Sequence, residues 1–301
     1  MNETGLNIAV LVAPVHDCRN PVLIDPVRKQ VDPSSLHWIL NPPDTIALEQ
    51  ALRLRDRIPR SGVRVVSVAP PSTERVLREC LAVGADELAR LWDERIEEAD
   101  THSIAALLAA VIRSGPVDLV LAGWRSADME HAQTGSIVAE LLGFPQITCA
   151  RSVEPGRDPA HIRVEKRIPG CLLAMSCALP ALVTVEKGPP LRYPRYSDRR
   201  NAWRTPIRGL DLRAIGLTEA PQSRLRVERM TPPKPRRRSA IGDGANMPVA
   251  ARLQRIMAGG AQAKKETNVH RCPDRSSTLK VIEHILKERL VVLPEKSGNG
   301  R

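Results

Sequence analysis

Aromatic side chains are scarce, with one Phe, two Tyr and four Trp in 301 residues. Seven rings are too few for the stacking platform on which single-strand binders and many RNA modules hold bases, so a reader of that kind is excluded. The six cysteines, Cys18, Cys80, Cys149, Cys171, Cys177 and Cys272, never form a Cys-x-x-Cys pair. No histidine cluster completes a zinc or iron–sulfur pattern, so no structural metal is expected. No uncharged apolar run approaches the roughly 20 residues of a membrane span. A basic leader with a small-residue cleavage site is also lacking; with free thiols, this predicts a cytoplasmic setting. Neither Gly-x-Gly-x-x-Gly nor Gly-x-x-x-x-Gly-Lys-Ser/Thr occurs, so any nucleotide must be held another way.

Charge of one sign is in excess, Lys plus Arg being 45 against 34 for Asp plus Glu. The excess is local. Residues 1–220 carry 27 basic and 27 acidic side chains, and residues 221–301 carry 18 and 7, so a neutral body precedes a basic tail. Within that tail Arg236-Arg237-Arg238 reads as a solvated linker rather than a phosphate or headgroup contact.

The body alternates buried-strand and helix patterns. Residues 7–13 are an almost unbroken apolar run, as in a strand covered on both faces of a parallel sheet. A Pro-rich loop leads to a helix over Thr45–Ile58 with Asp44 as its N-cap. Strand follows at Val63–Ala69, helix at Ser72–Val83, strand at Leu88–Trp92 and helix at Thr101–Arg113. Val117–Ala122 reads as strand, Ala132–Leu142 as helix, and Ile147–Val185 as β-rich, with Cys171 and Cys177 as small core residues. This alternation predicts an α/β doubly wound, mostly parallel sheet over 1–215. Residues 216–275 have the Pro/Gly/Ala-rich, basic texture of a linker. Over Ser276–Leu290, in an arm spanning 276–301, Leu279, Ile282, Ile285 and Leu286 share one face of an amphipathic helix suited to docking on a partner.

The segment with most chemical content is Gly123-Trp124-Arg125-Ser126-Ala127-Asp128-Met129-Glu130-His131-Ala132-Gln133-Thr134-Gly135-Ser136. It leaves the carboxyl end of a strand and enters a helix start, the place where open α/β sheets bind ligands. Free N–H groups and the Thr134 and Ser136 hydroxyls suit phosphate, and no acidic residue lies between 131 and 136. An ordinary capped helix after an ordinary loop is the plainer alternative. His16-Asp17-Cys18 lines up an imidazole, a carboxylate and a thiol, yet adjacent residues point apart, so it reads as a polar loop and not a catalytic set.

The stretch Asn41-Pro42-Pro43-Asp44-Thr45-Ile46-Ala47-Leu48-Glu49-Gln50-Ala51-Leu52-Arg53-Leu54 resembles the Asn-Pro-Phe-Asp-Glu-Ile-Ala-Val-Glu-Glu-Ala-Leu-Arg-Leu block of electron transfer flavoprotein β subunits. Collinear matches continue at Leu81-Ala82-Val83-Gly84-Ala85-Asp86, at Gly123–Gly135, at Gly143-Phe144-Pro145-Gln146, at Leu179-Pro180-Ala181-Leu182-Val183-Thr184 and at Pro194-Arg195-Tyr196. The resemblance implies an adenine-nucleotide α-hydrolase-like domain with a β-rich extension and a C-terminal arm. It implies a carrier subunit without substrate turnover, paired with an FAD-carrying α subunit and passing electrons from dehydrogenases to a quinone reductase or another acceptor. It also implies a bound AMP, or a second FAD as in bifurcating and nitrogen-fixation-linked branches. Asn41, Pro42, Asp44, Gly123, Asp128, Gln133, Thr134 and Gly135 match the nucleotide-binding blocks.

Departures from the family pattern narrow the reading. The AMP-type loop reads Asp-Asp-Asp-x-Asn-Gln-Thr-Gly, whereas here Ala132 precedes Gln133, as in the second-FAD branch. Where the housekeeping branch carries an apolar anchor for its dehydrogenases, this chain has Ser197-Asp198-Arg199-Arg200-Asn201, which implies a different redox partner. The competing reading is a stand-alone adenine-nucleotide sensor of universal-stress-protein type, which has no use for an unpaired C-terminal helix.

Overall fold

The computed structural model describes residues 5–20, 22–25, 31–32, 35–226 and 228, and further on 248–250, 253, 276, 278–279 and 282–283. The chain divides into two compact units, Met1–Pro232 and Pro233–Arg301. In the first, the strands are β1 (Asn7–Leu11), β2 (Pro14–His16), β3 (Trp38–Leu40), β4 (Gly62–Val68), β5 (Glu87–Leu91), β6 (Leu119–Gly123), β7 (Gln146–Pro155), β8 (His161–Ile168), β9 (Cys171–Ala178), β10 (Ala181–Val185) and β11 (Arg208–Leu210). The helices are α1 (Pro42–Arg57), α2 (Glu74–Ala82), α3 (Thr101–Arg113), α4 (Thr134–Leu142) and α5 (Tyr196–Ala202).

Nine strands form one sheet in the order β11-β5-β4-β1-β6-β10-β7-β8-β9, parallel from β11 to β7 and antiparallel from β7 to β9. The chain winds outward from β1 through β4 and β5, then returns to the other side of β1 at β6. The switch point of this doubly wound sheet is therefore between β1 and β6. Alternation along the strands builds two cores. Ile8, Val10, Val63, Val65, Leu119 and Leu121 face α1 and α2 through Leu48, Leu52 and Leu77. Ala9, Leu11, Val66, Val120 and Ala122 face α3 and α4 through Leu108, Val111 and Val138. Because both faces are covered, the central strands β1 and β6 read as nearly continuous apolar runs.

Several local expectations are corrected. Helix α1 opens at Pro42, three residues before the expected Thr45, because Pro42 and Pro43 occupy first-turn positions where no N–H is needed. Asn41, not Asp44, holds the cap position, and Asp44 lies inside the first turn. Helix α4 opens at Thr134 instead of Ala132, since Glu130 (φ 53°) and Ala132 (φ 55°) adopt left-handed backbone that no right-handed helix contains. The first apolar run ends as a strand at Leu11; Pro14–His16 then pairs antiparallel with Trp38–Leu40, within the stretch read as a loop. Cys177 is buried as expected, but Cys171 is exposed at the start of β9. The expected linker begins with residues attached to the body: Leu217 and Ala220 pack on the α3/α4 core, and Asp100 accepts from the Arg224 and Leu225 amides. Leu279 and Ile282 are helical and exposed, whereas Ile285, Leu286 and Arg236–Arg238 lie outside the described residues. Among the described residues, no helix is long and apolar enough to cross a membrane.

A buried carboxylate anchors the return of the chain after β10. Glu49 on α1 accepts from Arg53 Nε at 2.8 Å, from the Arg192 amide at 3.1 Å and from Arg192 Nε at 3.0 Å. Burial alone would raise the Glu49 carboxyl, but these donors hold it below the usual carboxylate range. Arg192→Met is expected to lower unfolding free energy by about 2 kcal/mol, the worth of a hydrogen bond to a charged group, as read by urea denaturation. An unchanged midpoint would show that Arg53 alone satisfies Glu49.

Candidate functional site

A cavity of about 240 Å³ opens at the carboxyl ends of β1 and β6. Its floor is strand-end backbone, one wall is apolar (Leu11, Val68, Ile104 and Leu108), and its rim is the loop after Gly123. Asn41, Asp44, Gly123, Asp128, Gln133, Thr134 and Gly135, scattered over almost a hundred residues of sequence, all border this space. Pro42 does not; it begins α1.

Two buried polar side chains hold the rim in place. Asn41 Nδ2 donates to the Arg125 carbonyl at 3.0 Å, and its Oδ1 accepts from the Ala127 amide at 3.0 Å, fixing both ends of one loop turn. Asp44 accepts from the Ala13 amide (2.8 Å) and from the Gly123 amide (2.9 Å), tying the ends of β1 and β6 to α1. This close approach is why residue 123 is glycine: a Cβ there would press on Asp44 and come within 2.7 Å of Pro43 Cβ. Gly135 has a similar reason, since its Cβ would meet Thr184 Cγ2 at 2.6 Å, so helix α4 rests directly on β10.

Two helix starts face the cavity. Thr101 opens α3 and Thr134 opens α4, both line the space, and neither helix has an acidic residue in its first turn. Gln133 gives α4 no side-chain cap, so its leading N–H groups remain available, whereas Asp100 caps α3 through the Ser103 amide. The partial positive ends of two helices converge on one space, an arrangement that favours an anion. On the rim, Arg125 stacks over Trp124 at 4.3 Å and pairs with Glu130 at 3.1 Å, and His131 Nδ1 bonds Thr101 Oγ1 at 2.9 Å.

Thr101, Ile104 and Leu108 lie outside the segments singled out from the sequence, and Arg125 and His131 lie within the Gly123–Ser136 segment without being singled out there. The signal for the first three was present in Asp100, a capping residue, because alternating strands and helices bring every such helix start to the same sheet edge. His16-Asp17-Cys18 forms no catalytic set: His16 stacks on Trp38 at 3.9 Å, Asp17 pairs with Arg19 at 2.7 Å, and Cys18 is exposed.

A switch-point cavity walled by strand ends and by two helix starts, α4 without a side-chain cap and α3 capped by Asp100, defines an α/β protein with a cleft at the ligand-binding edge of its sheet. Residues 29–190 match the family model described as electron transfer flavoprotein domain. The chain is 34% identical over 237 residues to the electron transfer flavoprotein subunit beta of Methylophilus methylotrophus, covering 75% of this chain and 88% of that one. It is 32% identical over 230 residues to protein FixA of Azotobacter vinelandii (73% and 82%). It is 37% identical over 213 residues to the caffeyl-CoA reductase-Etf complex subunit CarD of Acetobacterium woodii (67% and 80%). The chain belongs to the electron transfer flavoprotein family, among its β subunits, which are electron-transfer proteins that pair with an α subunit in a flavin-containing complex. These relatives favour the carrier reading over the stand-alone sensor.

Burial pushes the Asp44 carboxyl up to about 7, against the Ala13, Asn41 and Gly123 hydrogen bonds and with help from Asp128. Its folded value lies above its unfolded one, so the stability that this group contributes is full below about pH 4 and is lost as pH rises through about 7. Asp44→Asn removes that titration. The stability of the variant relative to the native chain is expected to climb between pH 4 and 7 and to level off above, in denaturation curves taken across that range; a pH-independent difference would refute it.

Proposed function

We propose that this chain is the nucleotide-holding β subunit of a heterodimeric electron transfer flavoprotein, with AMP or the adenine end of a second FAD in the switch-point cavity. The observation that carries the reading is the convergence of the α3 and α4 starts on one cavity beside an apolar wall. The apolar wall suits an adenine ring, and the N–H groups of the α4 start with the Thr134 hydroxyl suit its phosphate. Asp44 fits an anionic ligand because both of its oxygens are engaged by backbone amides. At about 240 Å³ the cavity matches a mononucleotide-sized group, so a dinucleotide would extend past the Gly123–Gly135 rim. The FAD of the complex supplies the redox chemistry; this chain binds, orients and shields.

Electrons would pass from a dehydrogenase to a quinone reductase or another acceptor. The surface offered to them includes α5, where Ser197, Asp198, Arg199, Arg200 and Asn201 are all exposed, a polar and basic face in place of an apolar anchor. The arm that carries Leu279, Ile282, Ile285 and Leu286 would dock on the α subunit. Deleting residues 270–301 is then expected to lower the yield of heterodimer, and an unchanged dissociation constant by calorimetry would remove the arm from the interface. A cytoplasmic setting and no role in nucleic-acid binding complete the proposal.

Acid release of nucleotide from the purified heterodimer is the test. One FAD with one AMP, or two FAD, supports the reading and tells the two ligands apart; one FAD with no second nucleotide overturns it. Thr134→Ala removes one charge-assisted hydrogen bond, about 1.5–3 kcal/mol, and is expected to weaken retention by roughly 10- to 150-fold. Gly135→Val is expected to do more harm, because its side chain meets Thr184 and displaces the start of α4.

A further inference from the structure

His131 borders the switch-point cavity from its rim, and Nδ1 of its ring bonds Thr101 Oγ1 at 2.9 Å. The residue is exposed, and its other ring nitrogen, Nε2, makes no hydrogen bond. Arg125, the guanidinium on the same rim, is already committed, paired with Glu130 at 3.1 Å and stacked over Trp124 at 4.3 Å. The backbone sets the imidazole in place from both sides. Glu130 (φ 53°) and Ala132 (φ 55°) are left-handed, so the chain turns sharply before and after His131 and keeps it out of helix α4. Strained non-glycine positions of this kind persist where the surroundings over-determine them, and they gather at ligand sites.

The two sides of the cavity offer an anion different things. Helix α4 opens at Thr134 without a side-chain cap. The start of α3 is answered by Asp100, whose carboxylate accepts from the Ser103 amide at 2.8 Å, so its dipole has little left for a further negative group. What that side presents to the cavity instead is the Thr101–His131 pair. A first phosphate at the α4 start leaves a second one, joined to it through a single bridging oxygen, close to the same place. His131 stands three residues ahead of Thr134, a chain distance of at most about 11 Å. Its chemistry suits the task. When the Thr101 hydroxyl donates to Nδ1, the neutral ring carries its proton on Nε2 and donates from there, and an anion at Nε2 selects that tautomer.

We propose that His131, positioned by Thr101, holds the second phosphate of the bound adenine nucleotide, so that the cavity selects ligands with a diphosphate group over monophosphates. This deepens the nucleotide reading given under Proposed function and rests on it. His131 is then a specificity-determining residue and Thr101 its positioning residue.

ADP and AMP are the probes, because they differ by the second phosphate alone. The full chain, in its heterodimer with the α subunit, is stripped of released nucleotide and titrated with each by calorimetry. The native pair is expected to bind ADP about tenfold or more tightly than AMP, the worth of one hydrogen bond to a charged group. His131→Ala is expected to abolish that preference, Thr101→Val to reduce it, and His131→Gln, which keeps a donor, to retain more of it than His131→Ala. Affinities for ADP and AMP that fall by the same factor in His131→Ala, or a preference unchanged in both His131→Ala and Thr101→Val, overturn the assignment while the nucleotide reading stands. The nucleotide released by acid from the untreated native pair gives an independent reading. A second nucleotide with a diphosphate group supports the assignment, and AMP in that place overturns it. If the native pair releases no second nucleotide and binds neither probe, the Proposed function falls first and the role of His131 falls with it.

Discussion

Ladder pairing between β1 and β6 runs from Ile8 opposite Leu119 to Leu11 opposite Ala122 and then ends, because the chain leaves in opposite directions on either side of the switch point. The amides just past that end, Ala13 and Gly123, have no partner across the β1–β6 seam, and Asp44 accepts from both. Everything around the cavity depends on this exchange of a missing ladder for one carboxylate. It draws α1 against the strand ends closely enough to require glycine at 123, and it sets Asn41 where its amide group can brace the loop at Arg125 and Ala127. A carboxylate in such a place is costly to ionise, which is why its proton affinity is raised. The energetic conflict is local and sits at the ligand edge, where a parallel sheet concentrates it.

The anionic ligand proposed for this body would be drawn by local dipoles and not by overall charge. Residues 1–220 are balanced in charge, and the basic excess falls in the tail. The cavity instead receives the starts of α3 and α4, whose first turns lack carboxylates, with α4 free of a side-chain cap and α3 capped by Asp100. Dipoles of this kind act within about one helical turn and are weakly affected by salt when partly enclosed, in contrast with a basic patch. Neutrality of the body also leaves α5, with Arg199 and Arg200, as a distinct charged feature.

Much of the architecture was legible because strands buried on both faces write themselves as apolar runs; β1 and β6 do so nearly unbroken, and β4 and β5 are interrupted only by Arg64, Ser67, Glu87 and Arg90. Termini were less legible where sterics overrode pattern. Two prolines moved the start of α1 forward, and two left-handed residues moved the start of α4 back. The site residues that came from resemblance were brought to one cavity except Pro42, yet their roles were not readable from spacing. Asp44 turned out to grip backbone, and Gly135 to rest on Thr184. Cys171 misled because β9, apolar enough for a core strand, lies at an uncovered edge. Composition reports what a strand would bury, and only topology reports whether anything in the same chain buries it.

Ala132 carries the last step. Its backbone is left-handed, a conformation that costs a non-glycine residue about 1 kcal/mol and that asparagine tolerates better through local hydrogen bonding. The AMP-type loop it resembles has Asn at this place, so local backbone energetics favour the residue that is missing here. Keeping Ala at a strained position, on the rim of the cavity beside Gln133, removes an amide group and leaves room at the mouth. A mononucleotide enclosed within the cavity has little use for that room. A dinucleotide, whose second half must leave past the same rim, does, and this physical reason supports the second-FAD form of the proposal over the AMP form.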